Sequence, residues 1–167
     1  MTRILVAYGS RRGGTAGLAA MIGEALTAVG HEVVLSPARE VSTLAGAEAV
    51  IVAGALYANR WHHDARRFVR RNRAALSELP VWLVSSGPLD ETAAQHEIAA
   101  TPQVRKLMAR VGARGHVTFG GRLSPDTTGF PASMMAKTRA GDWRDATQVR
   151  RWVSLISAQL DGAHRAT

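Results

Sequence analysis

Short apolar runs alternate with amphipathic stretches along this chain, at a spacing that predicts strands alternating with helices. Ile4-Leu5-Val6-Ala7-Tyr8, within Arg3 to Tyr8, ends at Gly9-Ser10 and reads as a buried strand. From Thr15 to Val29, Leu18, Ala19, Ile22, Ala25, Leu26 and Val29 recur at helical spacing before Gly30 stops the pattern. A second strand is expected over His31 to Leu35. A third, Ala49 to Ala53, is closed by Gly54. His62 to Leu76 reads as one helix with Ala65, Phe68, Val69, Asn72 and Leu76 on one face and arginines elsewhere. Pro80 opens a fourth strand, Val81 to Ser85. A helix over Val104 to Val111, a fifth strand over His116 to Phe119 and a last helix over Ala146 to Leu160 complete the order. Arg122 to Arg144 carries only weak periodicity.

Alternation of this kind predicts βαβ units and a parallel sheet covered on both faces. In such sheets ligands bind beyond the carboxyl ends of the strands, where the strand order reverses. Function is therefore expected in the loops after the first, third and fourth strands.

The first of these loops is Gly9-Ser10-Arg11-Arg12-Gly13-Gly14-Thr15. Its small residues let backbone N–H groups converge, two hydroxyls add donors, and the positive end of the next helix faces the same place. It is neither a Walker A loop nor a G-x-G-x-x-G fingerprint. A tight strand-to-helix turn with an ordinary cap is the other reading. The second loop, Ala55-Leu56-Tyr57-Ala58-Asn59-Arg60-Trp61-His62-His63, concentrates aromatic residues in a chain that is only 5% aromatic. Stacking of a flat heterocycle on Tyr57 or Trp61 is one reading; rings that cap the core are the other. The third loop, Ser85-Ser86-Gly87-Pro88-Leu89, offers hydroxyls and amides to the polar edge of a ring. His62-His63 lacks the companions a metal site needs. No nucleophile–base constellation stands out, so no catalytic side chain is assigned.

Composition narrows the setting. The chain has 167 residues, no cysteine, and no apolar run of eighteen residues. Its first apolar run is too short for a secretory signal. A cytoplasmic protein is expected, with peripheral contact to the inner face of an anionic membrane as a further expectation. Charge changes the picture more. Lys+Arg number 21 against 13 Asp+Glu, a net +8, and only Lys106 and Lys137 are lysines. Codon bias explains arginine-richness blandly; an anionic partner explains it functionally. Basic and aromatic residues do not interleave in the manner of RNA readers, so no specific nucleic-acid partner is expected.

Ser10-x-x-Gly13-x-Thr15, the aromatic loop from Tyr57 to Trp61, and Ser85-Ser86-Gly87-Pro88 together resemble the flavodoxin-like FMN proteins, over almost the whole chain. More narrowly, Arg60-Trp61-His62-x-x-Ala65-Arg66-Arg67-Phe68-Val69, Phe119-Gly120-Gly121-Arg122-Leu123 and Gly141-Asp142-Trp143-Arg144-Asp145 are similar to a flavodoxin-domain group. That group includes the menaquinone-dependent protoporphyrinogen oxidases. The resemblance implies an α/β, flavodoxin-like, doubly wound five-stranded parallel sheet in a three-layer α/β/α sandwich. It implies one domain over 1–167, with 122–144 as an insert or extended loop. It places the FMN phosphate at Ser10, Arg11, Arg12, Gly13, Gly14 and Thr15. The isoalloxazine falls between Leu56–Trp61 and Ser86–Leu89, with Ala55 and Ser85 at the foot of the two loops.

The implied activity is a flavin-dependent oxidoreductase with a small redox substrate, such as a porphyrinogen, and a quinone or protein electron partner. The alternatives are an FMN electron carrier without its own substrate and a basic binding module without FMN. Electron-carrier flavodoxins are acidic, whereas this chain is basic. Two-electron reduction of FMN with uptake of one proton leaves an anion, which Arg11, Arg12 and Arg60 would favour. A potential suited to accepting electrons is therefore expected. The arginines from Arg60 to Arg73, against the single Asp64, are either a solvated helix face or a docking surface for carboxylates or lipid headgroups.

Overall fold

Five of the apolar runs lie side by side as a parallel sheet in the order β2-β1-β3-β5-β6. These strands are β1 (Arg3–Gly9), β2 (Glu32–Pro37), β3 (Ala49–Tyr57), β5 (Val81–Ser86) and β6 (Gly115–Phe119). Between β3 and β5 a two-residue strand, β4 (Arg60–Trp61), pairs antiparallel with the end of β3. The computed structural model describes residues 1–10, 14–87, 98–120, 122–123, 141–142 and 144–165.

The pleat explains the three layers. Alternate residues of a strand face opposite sides. Ile4 and Val6, Ile51 and Ala53, and Trp82 and Val84 join one core with helices α1 (Gly14–Ala28) and α5 (Ala146–Arg165). Leu5 and Ala7, Val50 and Val52, and Val81 and Leu83 join the other, with α2 (His63–Arg71), α3 (Arg73–Leu76) and α4 (Pro102–Val111). The three central strands are apolar on both faces because both are covered. β2 lies at the sheet's edge, and Val34 and Leu35 are 49% and 43% exposed.

Local chemistry sets the boundaries. α1 stops in a Schellman arrangement: Gly30 takes φ +98°, its N–H donates to Thr27 O (3.0 Å), and the His31 N–H donates to Leu26 O (3.1 Å). The next residue is tied down too. The Thr2 N–H donates to His31 Nδ1 (3.2 Å), which leaves the neutral ring's proton on Nε2, 2.7 Å from Ser157 Oγ on α5. α4 opens on a Thr101 cap whose hydroxyl accepts from the Val104 N–H, and closes at Gly112 in the left-handed region.

Two sequence expectations need correction. The helix expected over His62 to Leu76 is broken at Asn72, which has φ −104° and ψ 20°. The Asn72 side-chain amide and backbone N–H both donate to Phe68 O, so its side chain competes within the helical ladder and the helix restarts at Arg73. The third strand does not end at Gly54. It runs on to Tyr57, because Gly54 pairs in register with Gly9 and Ser85 like any other strand residue. Of the expected insert over 122–144, strands β7 (Arg122–Leu123) and β8 (Gly141–Asp142) pair antiparallel; apart from these and Arg144, the segment lies outside the described residues.

Candidate functional site

The strand order reverses between β1 and β3, and the crevice at their carboxyl ends is built by three neighbouring connections. Ser10 follows the first strand, and Gly14 and Thr15 open α1. Ala55 to Arg60 form the β3–β4 hairpin, Ser86 ends β5, and Gly87 follows it. These expected site residues therefore come together at one edge of the sheet. Arg11, Arg12, Gly13, Pro88 and Leu89 lie outside the described residues.

Thr15 carries the clearest chemical signal. The residue is 1% exposed, and its hydroxyl has no hydrogen-bond partner. A buried, unpaired hydroxyl costs about 1–3 kcal/mol, so one held at a helix N-terminus marks a place where an acceptor belongs. The first turn of α1 contains no acidic residue to neutralise the positive helix end. An anion with several oxygens, such as a phosphate monoester, fits this end.

The hairpin is tight. Tyr57 pairs with Arg60, leaving Ala58 and Asn59 as a two-residue turn with φ values of +49° and +64°. Both at positive φ is the mark of a type I′ turn, whose twist matches its strands. The alanine there is a strained choice, of the kind that gathers at functional sites. Paired residues share a face of the ribbon, which separates the two aromatics. Tyr57 and Arg60 are exposed. Trp61 pairs with Leu56 and folds back across Gly54, where a Cβ would overlap the indole.

Trp61 thus corrects an expectation. It is 1% exposed, belongs to the core, and donates its indole N–H to Val84 O (3.3 Å). Tyr57 is the exposed ring of the hairpin. Ser85 is corrected in the same way. It is 1% exposed and its hydroxyl hydrogen-bonds His116 Nε2 (2.8 Å), so it supports the strand end from below rather than offering a donor to a ligand. Gly87, with φ +139°, sits beside Leu56: a Cβ there would stand 3.7 Å from the Leu56 Cβ. The second and third loops therefore meet at their bases.

The sequence context of His62 assigns it no site role. It is buried, and it caps α2, with Nδ1 accepting from the Asp64 N–H (3.1 Å). Its ring stands edge-on to Tyr57, with centroids 6.3 Å apart and planes at 60°. Gly9 has no side chain because His62 occupies that space: a Cβ would lie 2.9 Å from Nδ1 and 2.8 Å from the Ala65 N. The histidine thereby fixes the hairpin to β1 and to α2. The available signal is a side-chain acceptor just ahead of the first N–H groups of a helix.

Beyond the hairpin, His63, Arg66, Arg67, Arg70 and Arg71 line a groove of about 450 Å³ along α2. Burial, then the neighbouring Arg60 and Arg70 charges, push the Arg66 guanidinium below its ordinary pKa, and its buried Nε–H has no acceptor. Arg60 links this cationic face to the crevice.

His116 yields a pH prediction. Burial lowers its pKa to about 4 from an ordinary 6.5. The unfolded chain therefore takes up this proton first as pH falls, and the folded state loses stability between about 6.5 and 4. Urea unfolding of wild type and His116→Gln should give stability curves with a constant offset above about pH 7. The wild type should lose ground below that point; curves that stay parallel down to about pH 4.5 would refute this.

The Flavodoxin domain family matches residues 5–142. No curated protein matches the chain in sequence. Among solved structures, a cysteine-to-serine mutant of flavodoxin from Pseudomonas aeruginosa is similar with a TM-score of 0.62 at 17% identity, covering 95% of this chain and 99% of its own. Oxidised flavodoxin 2 from Bacillus cereus has a TM-score of 0.56 at 18% identity, over 94% and 99% of the two chains. An apo NADH:FMN oxidoreductase has a TM-score of 0.55 at 16% identity, over 90% and 89%. At these identities the likeness is one of fold, and the strand order agrees with it. By family match and by architecture, this chain belongs to the Flavodoxin domain family, whose cofactor is FMN.

Proposed function

We propose that this protein is an FMN-dependent oxidoreductase that takes electrons from a carboxylate-bearing reduced substrate. Its resemblance to the protoporphyrinogen-oxidase-like group points to a porphyrinogen as substrate and a quinone as acceptor. The carrying observation is the arginine groove beside the crevice, with its unpartnered Arg66 Nε–H. When bound, FMN supplies the capacity to accept and release two electrons. The chain supplies the rest. Thr15, the amides of the first α1 turn and Ser10 would hold the phosphate. Tyr57 would cover the ring from the hairpin, and Ser86 and Gly87 would border it.

The α2 arginines would orient substrate carboxylates by paired N–H···O bonds, for which the guanidinium fork is shaped. The same face suits the anionic inner surface of a membrane, the location of a quinone acceptor. Among the described residues, no helix is long and apolar enough to cross a membrane. Contact of this kind would be peripheral.

The experiment is anaerobic oxidation of a porphyrinogen by the FMN-loaded protein with a menaquinone analogue. Arg66→Gln combined with Arg70→Gln is expected to raise KM about tenfold with kcat little changed, because these residues bind rather than react. A KM unmoved by the pair defeats the carboxylate-docking role. A loaded protein inert toward porphyrinogen but quick to pass electrons to a reductase supports the second reading, an electron carrier. That reading draws on the near-complete mutual coverage with flavodoxins.

Charge near the crevice gives a separate prediction. Arg60 is exposed on the hairpin beside Tyr57, and a unit charge about 10 Å from a site is worth roughly 0.4–1.7 kcal/mol there before screening by salt. Arg60→Glu should lower the FMN midpoint potential by tens of millivolts, an effect that shrinks as salt is raised. A potential insensitive to the substitution at low salt would remove Arg60 from the electrostatics of the flavin.

A further inference from the structure

His62 is held from more sides than a helix cap requires. Its N–H donates to Ala55 O (2.8 Å), which carries the hairpin ladder one residue past β4, and its carbonyl accepts from the Arg66 N–H (3.1 Å), which starts α2. The backbone is thereby fixed to a strand on one side and to a helix on the other. The side chain is 8% exposed. Nδ1 accepts from the Asp64 N–H (3.1 Å), which fixes the rotation of the ring. The same edge of the ring fills the space over Gly9, at the end of β1.

The hairpin carries this clamp to Tyr57. Tyr57 pairs with Arg60, and His62 follows Arg60 by two residues, so His62 and Tyr57 are diagonal neighbours on one face of the ribbon. Leu56 and Trp61 take the opposite face, toward the core. Aromatic side chains reach across such a diagonal, and the two rings meet edge-on, centroids 6.3 Å apart and planes at 60°. The contact joins unequal partners. The histidine is buried and clamped, whereas the tyrosine is 36% exposed beside a two-residue turn. The fixed ring therefore sets the angle of the surface one. A side chain already ordered loses less rotamer freedom when a ligand lands on it.

We propose that His62 is a positioning residue of the FMN site: it holds the Tyr57 ring at the angle that covers the flavin head, and so strengthens binding of the head rather than of the phosphate. This role rests on the FMN reading above and adds to it a residue that acts through Tyr57. Cap and ring are separable parts of the one side chain. Asparagine retains an acceptor for the helix N–H groups but has no ring. Phenylalanine retains a ring but has no acceptor.

The test uses the full-length apoprotein and two probes, FMN and riboflavin, titrated by quenching of flavin fluorescence. His62→Asn should weaken both flavins alike, by about two- to tenfold, because the lost order lies at the ring system they share. His62→Phe should keep both affinities within about twofold of wild type while lowering the denaturant midpoint, because it loses the cap instead. In a Tyr57→Ala background His62→Asn should have no further effect on either flavin, a coupling that a merely structural histidine does not produce. Where His62→Asn folds poorly, the phenylalanine variant carries the test. Wild-type affinity in a folded His62→Asn, a loss of the same size without Tyr57, or a folded His62→Phe weakened about tenfold each overturns the role of His62 and leaves the FMN reading standing. A wild-type protein that binds neither flavin overturns both.

Discussion

Gly54→Ala is expected to cost this protein its crevice, and much of its stability with it. Gly54 sits in the central strand β3, paired with Gly9 on one side and Ser85 on the other, and the Trp61 indole packs directly over it. The new methyl would overlap the indole, which is 1% exposed and held by its bond to Val84 O. Neither party has an easy retreat. The strand is fixed by ladders on both sides, and the ring is enclosed by the core beneath α2. Overpacking of a rigid site costs about 1–3 kcal/mol. Expelling the indole adds the loss of a buried tryptophan, about 3–5 kcal/mol. The cheaper outcome is a displaced β4 and a hairpin that no longer presents Tyr57. The substitution should therefore lower the denaturant midpoint and abolish tight FMN binding. In the Trp61→Ala background the same glycine change should cost far less, giving a coupling energy of at least about 1 kcal/mol in a double-mutant cycle. Additive losses would show that the indole and the strand are not in conflict.

This pair also shows how much of the molecule was legible in its sequence. Strands and helices were readable because both faces of the sheet are covered: β1, β3 and β5 are unbroken apolar runs, and α1 and α5 repeat their apolar residues at helical spacing. Glycine was the ambiguous letter. Gly30 and Gly112 do end helices in the left-handed region. Gly54 and Gly9 instead make room for Trp61 and His62. A close approach between elements leaves no local periodicity to read. The hairpin was hidden for a related reason: Ala58 and Asn59 turn at positive φ without the glycine that usually signals it. The loops of the candidate site were picked out by topology alone, since ligands gather where the strand order reverses. Which side chains within them turn toward the crevice and which toward the core was not. Register decided it, sending Trp61 inward and Tyr57 outward, and turning Ser85 toward His116.

Thr15→Val should move two observables in opposite directions. Valine is nearly isosteric with threonine and removes only the hydroxyl. In the apoprotein that hydroxyl is buried with no partner, so deleting it relieves a penalty. Apoprotein stability should rise by about 1 kcal/mol, within the range for an unsatisfied buried group. With FMN present the hydroxyl has a phosphate oxygen to bond, and hydrogen bonds to charged groups are worth about 1.5–3 kcal/mol. FMN affinity should then fall by about 10- to 150-fold while riboflavin binding stays nearly constant. Stabilisation of the folded state by ligand follows the logarithm of its concentration over Kd, so the Tm gain on adding FMN should shrink with the weaker binding while the apoprotein's own Tm rises. Thermal unfolding of both proteins, with and without FMN, reads all of this in one experiment. If the valine stabilises the apoprotein and leaves FMN affinity untouched, the hydroxyl is an ordinary packing defect and the phosphate lies elsewhere. If it destabilises the apoprotein, the hydroxyl has an internal partner and no acceptor is missing. Only gain without ligand and loss with it is the signature of a group held in readiness at the start of α1.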